Sequence, residues 1–201
     1  MKISRLNESE YKSWYENNLC MDFPINEVKP LDDILSLKRY GKYDVLMYQD
    51  ICTDMVLGYA TIWKCPNSNV YLLDYLGTPS HLRNQGIGSR ILKRLEYDLK
   101  NIEGMEHLHI ILESETPGDN DNSEENIIRQ RRIRFYQRNG WVKMYEMATC
   151  GMRFDAMTFA NVPSELENIQ ACHKQIYGPT RTDVLIPLQK GQTPPLPYWM
   201  K

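Results

Sequence analysis

Long apolar runs are missing from this chain: none approaches the roughly 20 residues of a membrane-spanning helix. The opening Met1-Lys2-Ile3-Ser4-Arg5 lacks the apolar core of a secretory leader. Cysteine is sparse: five residues (20, 52, 65, 150 and 172), widely spaced and without a C-x-x-C pair. The odd number argues against a disulfide framework or zinc ribbon, and for reduced thiols in a cytoplasm. Histidine is scarcer still, and His107, His109 and His173 have no metal-ligand spacing, so no metal is expected. Strong charge is also absent, since a formal net charge of −2 gives no overall pull toward nucleic acid or an anionic membrane. Two familiar phosphate loops are excluded as well. No Lys-Ser or Lys-Thr follows a suitable glycine, which a Walker loop needs, and Ile91 stands where a dinucleotide fingerprint needs its third Gly or Ala. The expectation is a soluble cytoplasmic protein without a metal, membrane or nucleic-acid partner.

What the chain holds is enough for a sizeable core: 42% of its 201 residues are apolar, and 13 tyrosines add large amphipathic side chains. Met1 to Leu6 reads as a short strand, and Asn7 or Ser9 can cap a helix through Tyr11, Trp14 and Tyr15 toward Leu19. Asn26 to Arg39 reads as a second helix with Gly41 as its stop. Tyr43 to Tyr48 and Met55 to Trp63 form an expected hairpin, followed by a strand from Val70 to Leu76 and a helix after Gly88. Leu108 to Glu113 is a buried-type strand, Thr116 to Ser123 a polar loop, and the next helix runs to about Arg138, stopping at Asn139-Gly140. A last hairpin (Trp141 to Met147, Met152 to Phe159), a helix (Pro163 to Tyr177), a strand (Asp183 to Leu188) and a proline-rich end complete the order. Hairpins mixed with crossover helices predict an α/β (α+β) fold, with a mixed, mostly antiparallel sheet of about six to seven strands and helices on both faces.

The most informative stretch is Leu72 to Leu92. An apolar strand meets a turn, then Arg83-Asn84-Gln85-Gly86-Ile87-Gly88 opens a helix whose Ile91, Leu92, Leu95 and Leu99 recur at helical spacing. Glycine at a first helical turn lets a ligand approach the backbone, and the free N–H groups with the positive dipole end favour an anion such as phosphate.

Those six residues match R/Q-x-x-G-x-G/A, the acetyl-coenzyme A signature of the GNAT superfamily of N-acetyltransferases. Arg132-Ile133-Arg134-Phe135-Tyr136-Gln137-Arg138-Asn139-Gly140-Trp141 resembles that family's late helix, A-x-x-x-Y-x-x-x-G-F, with Tyr136, Gly140 and Trp141 in the matching places. The element order from about residue 1 to 160 is also similar to the family's, leaving 161–201 as a C-terminal extension packed on the domain.

The resemblance implies a set of roles. The pantetheine arm of acetyl-coenzyme A would lie along the strand ending Leu76-Gly77-Thr78, and the backbone of Leu76 or Thr78 would polarise the thioester carbonyl. The amides of Gln85, Gly86, Ile87, Gly88 and Ser89 would hold the pyrophosphate beside Arg83 and Asn84. Tyr136 resembles the general acid that protonates the departing thiolate, and a phenol suits this because it is protonated at pH 7. Glu113 or Asp74 would take a proton from the amine, although either can equally be a salt-bridged carboxylate. Where family members often carry Asn and Ala, this chain has Arg129 and Arg132, so those contacts do not carry over. Arginines 129, 131, 132, 134 and 138 fit a solvated helix face paired with Glu124 and Glu125, the alternative being contact with the coenzyme's 3′-phosphate or an acidic substrate. The expected activity is acetyl transfer to a small-molecule or peptide amine in a ternary complex. The alternatives are a non-catalytic acyl-coenzyme A sensor and a toxin-like enzyme acting on aminoacyl-tRNA. The tail motif Pro194-Pro195-Leu196-Pro197-Tyr198-Trp199 fits a partner ligand, a surface-hugging terminus or a homodimer contact.

Overall fold

The computed structural model describes residues 1–118, 121–197 and 200. Asp119 and Asn120 of the polar loop, and Tyr198 and Trp199 of the tail motif, lie outside the described residues. The strands are β1 (Lys2–Arg5), β2 (Tyr43–Gln49), β3 (Val56–Lys64), β4 (Val70–Gly77), β5 (His109–Glu115), β6 (Trp141–Thr149) and β7 (Met152–Phe159). Their order is β1-β2-β3-β4-β5-β7-β6, a seven-stranded, mostly antiparallel open sheet. The chain divides into two compact units, Met1–Lys64 with Leu73–Leu108, and Cys65–Leu72 with His109–Lys201.

In the first unit the opening helix is composite. A 3-10 turn (Glu8–Glu10) leads into α1 (Tyr11–Trp14), a π turn (Tyr15–Leu19) and α2 (Cys20–Asp22). Asn7 starts it, its amide held by the Glu10 carboxylate at 2.7 Å. Tyr11, Trp14 and Leu19 are all buried, although five positions separate the last two. The wider π turn returns Leu19 to the face that a regular helix would give to a residue one place earlier. The second helix, α3 (Leu31–Arg39), starts later than the expected Asn26, and Ile25–Glu27 form a separate 3-10 turn. Pro30 is the reason: its ring pushes Lys29 out of the helical region, and a proline is at ease only where a helix begins.

Alternation along β2 and β3 sorts the helices to two faces of this unit's sheet. Tyr43, Val45, Met47 and Tyr59 share a buried cluster with Tyr11, Trp14 and Ile34. The neighbouring Gly58 points the other way, where a Cβ would lie 2.7 Å from Cδ1 of Ile91 in α4 (Ile87–Glu103). Helix α4 buries Ile87, Ile91, Leu92, Leu95 and Leu99, the stripe expected from its spacing, and ends at Gly104 with a positive φ of 65°.

The second unit carries β5, β7 and β6 with α5 (Glu124–Arg138) and α6 (Leu166–Tyr177). The Ser123 side chain caps α5 by accepting from the Asn126 amide at 3.2 Å. The strand expected from Asp183 to Leu188 is not formed. Leu185 makes one isolated bridge with Ala148, and the Leu188 amide reaches Glu146 O at 2.7 Å. Pro187 between them has no N–H to give, so no ladder can run. The segment still buries Val184 and Ile186 against Tyr145, Met147 and Ala156.

Arg181 and Asp183 clasp this segment. Arg181 Nε donates to Asp183 Oδ1 at 2.9 Å, and the Cys150 amide donates to Oδ2, also at 2.9 Å. Burial raises the Asp183 carboxyl, but the Arg181 and Cys150 hydrogen bonds outweigh it and lower the group from 3.8 to about 2. A carboxyl depressed in the fold stabilises above its unfolded value, and that contribution is lost as pH falls through the folded one. Denaturant titrations between pH 5 and 2 are therefore expected to lose about 2 kcal/mol from this group. Asp183→Asn is expected to remove that part of the slope, and an unchanged slope would contradict the assignment.

Candidate active site

Strand β4 ends under an aromatic ring. A Cβ on Gly77 would lie 2.1 Å from Cζ of the Tyr59 ring, so the strand end packs flat on Tyr59 as only glycine allows. Leu76 and Thr78 on either side are partly exposed. The Thr78 carbonyl accepts from Arg83 Nε at 3.1 Å, while Arg83 Nη2 reaches Asp22 Oδ1 at 2.7 Å. Arg83 thus ties the loop to both the strand end and α2. One consequence is that part of its charge is spent on Asp22.

The loop that follows uses two left-handed residues, Asn84 (φ 63°) and Gly86 (φ 74°), to turn the chain into α4. The Gln85 side chain folds back onto His81 O at 3.0 Å. No side chain caps α4, and residues 83 to 86 are exposed. The first-turn amides of Ile87, Gly88 and Ser89 have no acceptor within the helix. A Cβ on Gly86 would meet nothing within 4 Å. Open space over uncapped amides at the positive end of a 17-residue helix fits a bound anion.

Asp74 lies two residues before Leu76. Its Oδ1 takes the Lys29 ammonium at 2.6 Å, and its Oδ2 lies 2.7 Å from the Tyr43 hydroxyl. That hydroxyl is also 2.9 Å from Thr61 Oγ1, which in turn accepts the Tyr75 amide at 2.8 Å. With one proton to give, Tyr43 donates to the carboxylate and accepts from Thr61, so the chain of donors runs toward Asp74. Burial first, and the Asp74 charge second, push the Tyr43 phenol well above its ordinary value. Strand alternation predicts Asp74 and Tyr75 on opposite faces. Both nevertheless meet Lys29, whose Nζ is 5.1 Å from the Tyr75 ring centre and 5.2 Å from that of Trp63.

Glu113 is equally engaged, within the second unit. Tyr177 donates to its two oxygens at 2.6 and 2.7 Å, and His173 Nε2 lies 2.7 Å from Oε1. His173 Nδ1 is 2.9 Å from the Tyr145 hydroxyl. A ring whose Nε2 faces a carboxylate carries its proton there, leaving Nδ1 to accept from Tyr145. Burial first, and the Glu113 charge second, raise the Tyr145 phenol. Sequence spacing assigns His173 no role and marks Tyr177 only as the end of a helix. The spacing shows that His173 needs a partner, though not which one: it shares the buried stripe of α6 with Ile169, Cys172 and Ile176, where a polar side chain must be satisfied.

Tyr136 sits in the last turn of α5, partly buried, with Phe135 and Trp141 at ring distances of 5.4 and 6.3 Å. Burial raises its phenol above 10, and Arg132 opposes this. The hydroxyl has no hydrogen-bond partner among the described residues. Arg129 pairs with Glu115 and, at 3.5 Å, with Glu125, while Arg134 contacts Gln130. Among the described residues no group of His, Cys, Asp or Glu is placed to hold a metal ion, and no helix is long and apolar enough to cross a membrane.

No curated protein matches the chain in sequence. Solved structures do match in fold. A GNAT-family protein from Bacteroides thetaiotaomicron is 24% identical with a TM-score of 0.66, over 89% of this chain and 99% of its own. A spermidine N-acetyltransferase chimera from Vibrio cholerae and hSSAT is 10% identical, TM-score 0.56, over 79% and 94%. An aminoglycoside 6'-N-acetyltransferase complexed with coenzyme A is 15% identical, TM-score 0.55, over 82% and 100%. A family model, the acetyltransferase (GNAT) domain, matches residues 42–143, just over half of the chain. With strand β4, its glycine-opened helix and Tyr136 all inside that span, the chain belongs to the GNAT acetyltransferase family.

Proposed function

We propose that this protein is an acetyl-coenzyme A-dependent N-acetyltransferase in which a primary amine attacks the thioester directly. The observation that carries this reading is the uncapped N-terminus of α4, opened by Gly86 directly after strand β4. Two fold relatives that acetylate amines, spermidine and an aminoglycoside, support an amine acceptor. Acetyl-coenzyme A supplies the activated acetyl group. The amides of Gln85 to Ser89 hold its pyrophosphate, the backbone of Leu76 or Thr78 polarises the carbonyl, and Tyr136 gives its proton to the departing sulfur. Both carboxylates already hold two donor residues, and we assign the amine's proton to Asp74 because it lies on β4 itself, two residues before Leu76, with Glu113 as the alternative acceptor. We read 1–160 as the catalytic domain and 161–201 as its extension.

One observation favours a second reading, a non-catalytic acyl-coenzyme A sensor: Asp74 and Glu113 both already have partners. Calorimetric titration of the full chain with coenzyme A, followed by acetylation assays on a panel of amines, separates the two. Binding with turnover supports the enzyme, and binding without any turnover supports the sensor. Failure to bind would sink both.

A further inference from the structure

We infer that the site around the Lys29 ammonium is a subsite for the acceptor's own ammonium group, with Lys29 as an internal competitor. The inference rests on the acetyltransferase reading and names its substrate class: aliphatic amines that are cationic at neutral pH. Three recognition elements for such a group converge on one point. A carboxylate oxygen of Asp74 lies 2.6 Å from Lys29 Nζ, and the rings of Trp63 and Tyr75 stand at 5.2 and 5.1 Å. Aromatic faces with a carboxylate bind an alkylammonium through the ring quadrupole and a charge-assisted hydrogen bond.

The site is built rather than incidental. Asp74 is held by the Tyr43 hydroxyl, itself supported by Thr61, so the carboxylate keeps its aim whatever cation it faces. The Tyr75 hydroxyl accepts from the Lys29 amide at 3.0 Å and donates to Glu27 O at 2.9 Å, pinning the strap beside the site. The Lys29 side chain is the component that a substrate cation would replace. It is 30% exposed, against 11% for Asp74, and its flexible stem can swing out without moving the pinned backbone. Asp74 lies on the strand proposed to carry the thioester, two residues before Leu76. A substrate ammonium replacing Lys29 therefore meets the carboxylate that we assign to take its proton. An aromatic or otherwise uncharged amine gains nothing from this cage.

The experiment uses the full chain with butylamine, a cationic aliphatic amine, and aniline, which is uncharged at neutral pH. Lys29→Met keeps much of the stem and removes the charge. It is expected to lower the butylamine KM by about tenfold, because an internal competitor no longer taxes the free site. The acetyl-coenzyme A KM should not move, the aniline KM should not tighten, and Lys29→Arg, which keeps a cation on Asp74, should not lower the butylamine KM. If Lys29→Met perturbs folding, Lys29→Gln serves the same purpose. Butylamine titrations by calorimetry read the subsite without turnover and should tighten by the same factor. Butylamine binding and KM both unchanged in Lys29→Met would overturn the inference while leaving the acetyltransferase reading intact. Absence of acetyl-coenzyme A binding would instead remove that reading, and the butylamine titration would still decide whether the cage accepts an external ammonium.

Discussion

Replacing Tyr136 by phenylalanine is expected to lower turnover at saturating acetyl-coenzyme A by roughly a hundred- to ten-thousand-fold, the usual contribution of a general acid. The substitution is a clean one. No protein group loses a partner, since the hydroxyl bonds to nothing among the described residues, and the ring keeps its packing on Phe135 and Trp141. Stability should stay within about 0.5 kcal/mol of wild type, and coenzyme A affinity should hold. Burial raises the phenol above its ordinary value, so it remains protonated throughout the neutral range and imposes no fall in rate there. A Tyr136→Phe enzyme with an unchanged rate would remove the phenol from the mechanism. Loss of cofactor binding in the same variant would recast Tyr136 as a binding group.

The second large effect lies at Gly77. Alanine there would put a Cβ 2.1 Å from Cζ and 2.3 Å from Cε1 of Tyr59, inside any tolerable contact. The ring has little room to retreat, because it is fully buried and packs edge-on against Trp14 at 5.6 Å. Overpacking of this kind costs about 1 to 3 kcal/mol, sometimes more. Gly77→Ala should therefore lower the denaturation midpoint and weaken coenzyme A binding together, since the displaced backbone is the strand end proposed to hold the pantetheine arm. Tyr59→Leu in the same chain should recover part of the loss, giving a coupling energy in a double-mutant cycle that an independent pair would not show. Gly77→Ala as stable as wild type would mean that the strand end is not fixed by this contact.

Local pattern explains what could be read in advance. The sequence from Val70 to Leu99 announces strand, turn and helix, and the glycines at 86 and 104 bracket α4 because each needs a left-handed backbone. The spacing of Tyr136, Gly140 and Trp141 likewise reflects one helix end and the aromatic contact behind it. Errors arose where one residue overrode a pattern. Pro30 delays α3 to Leu31, and Pro187 prevents a strand that Asp183 to Leu188 would otherwise form. The partners of the two carboxylates were out of reach for a different reason. Lys29 meets Asp74 across 45 positions, and Tyr177 meets Glu113 across 64, so no local window contains both ends.

That last separation bears on how the molecule is made. Strand β5 leaves the ribosome carrying a carboxylate whose donors, His173 and Tyr177, are still 60 and 64 residues from being synthesised. Until they arrive, Glu113 must stay hydrated or be left without a partner in a dry interior, and hydration costs less. A chain ending at residue 160 would lack both donors to Glu113, His173 and Tyr177, and its carboxylate would have to turn to water in their place.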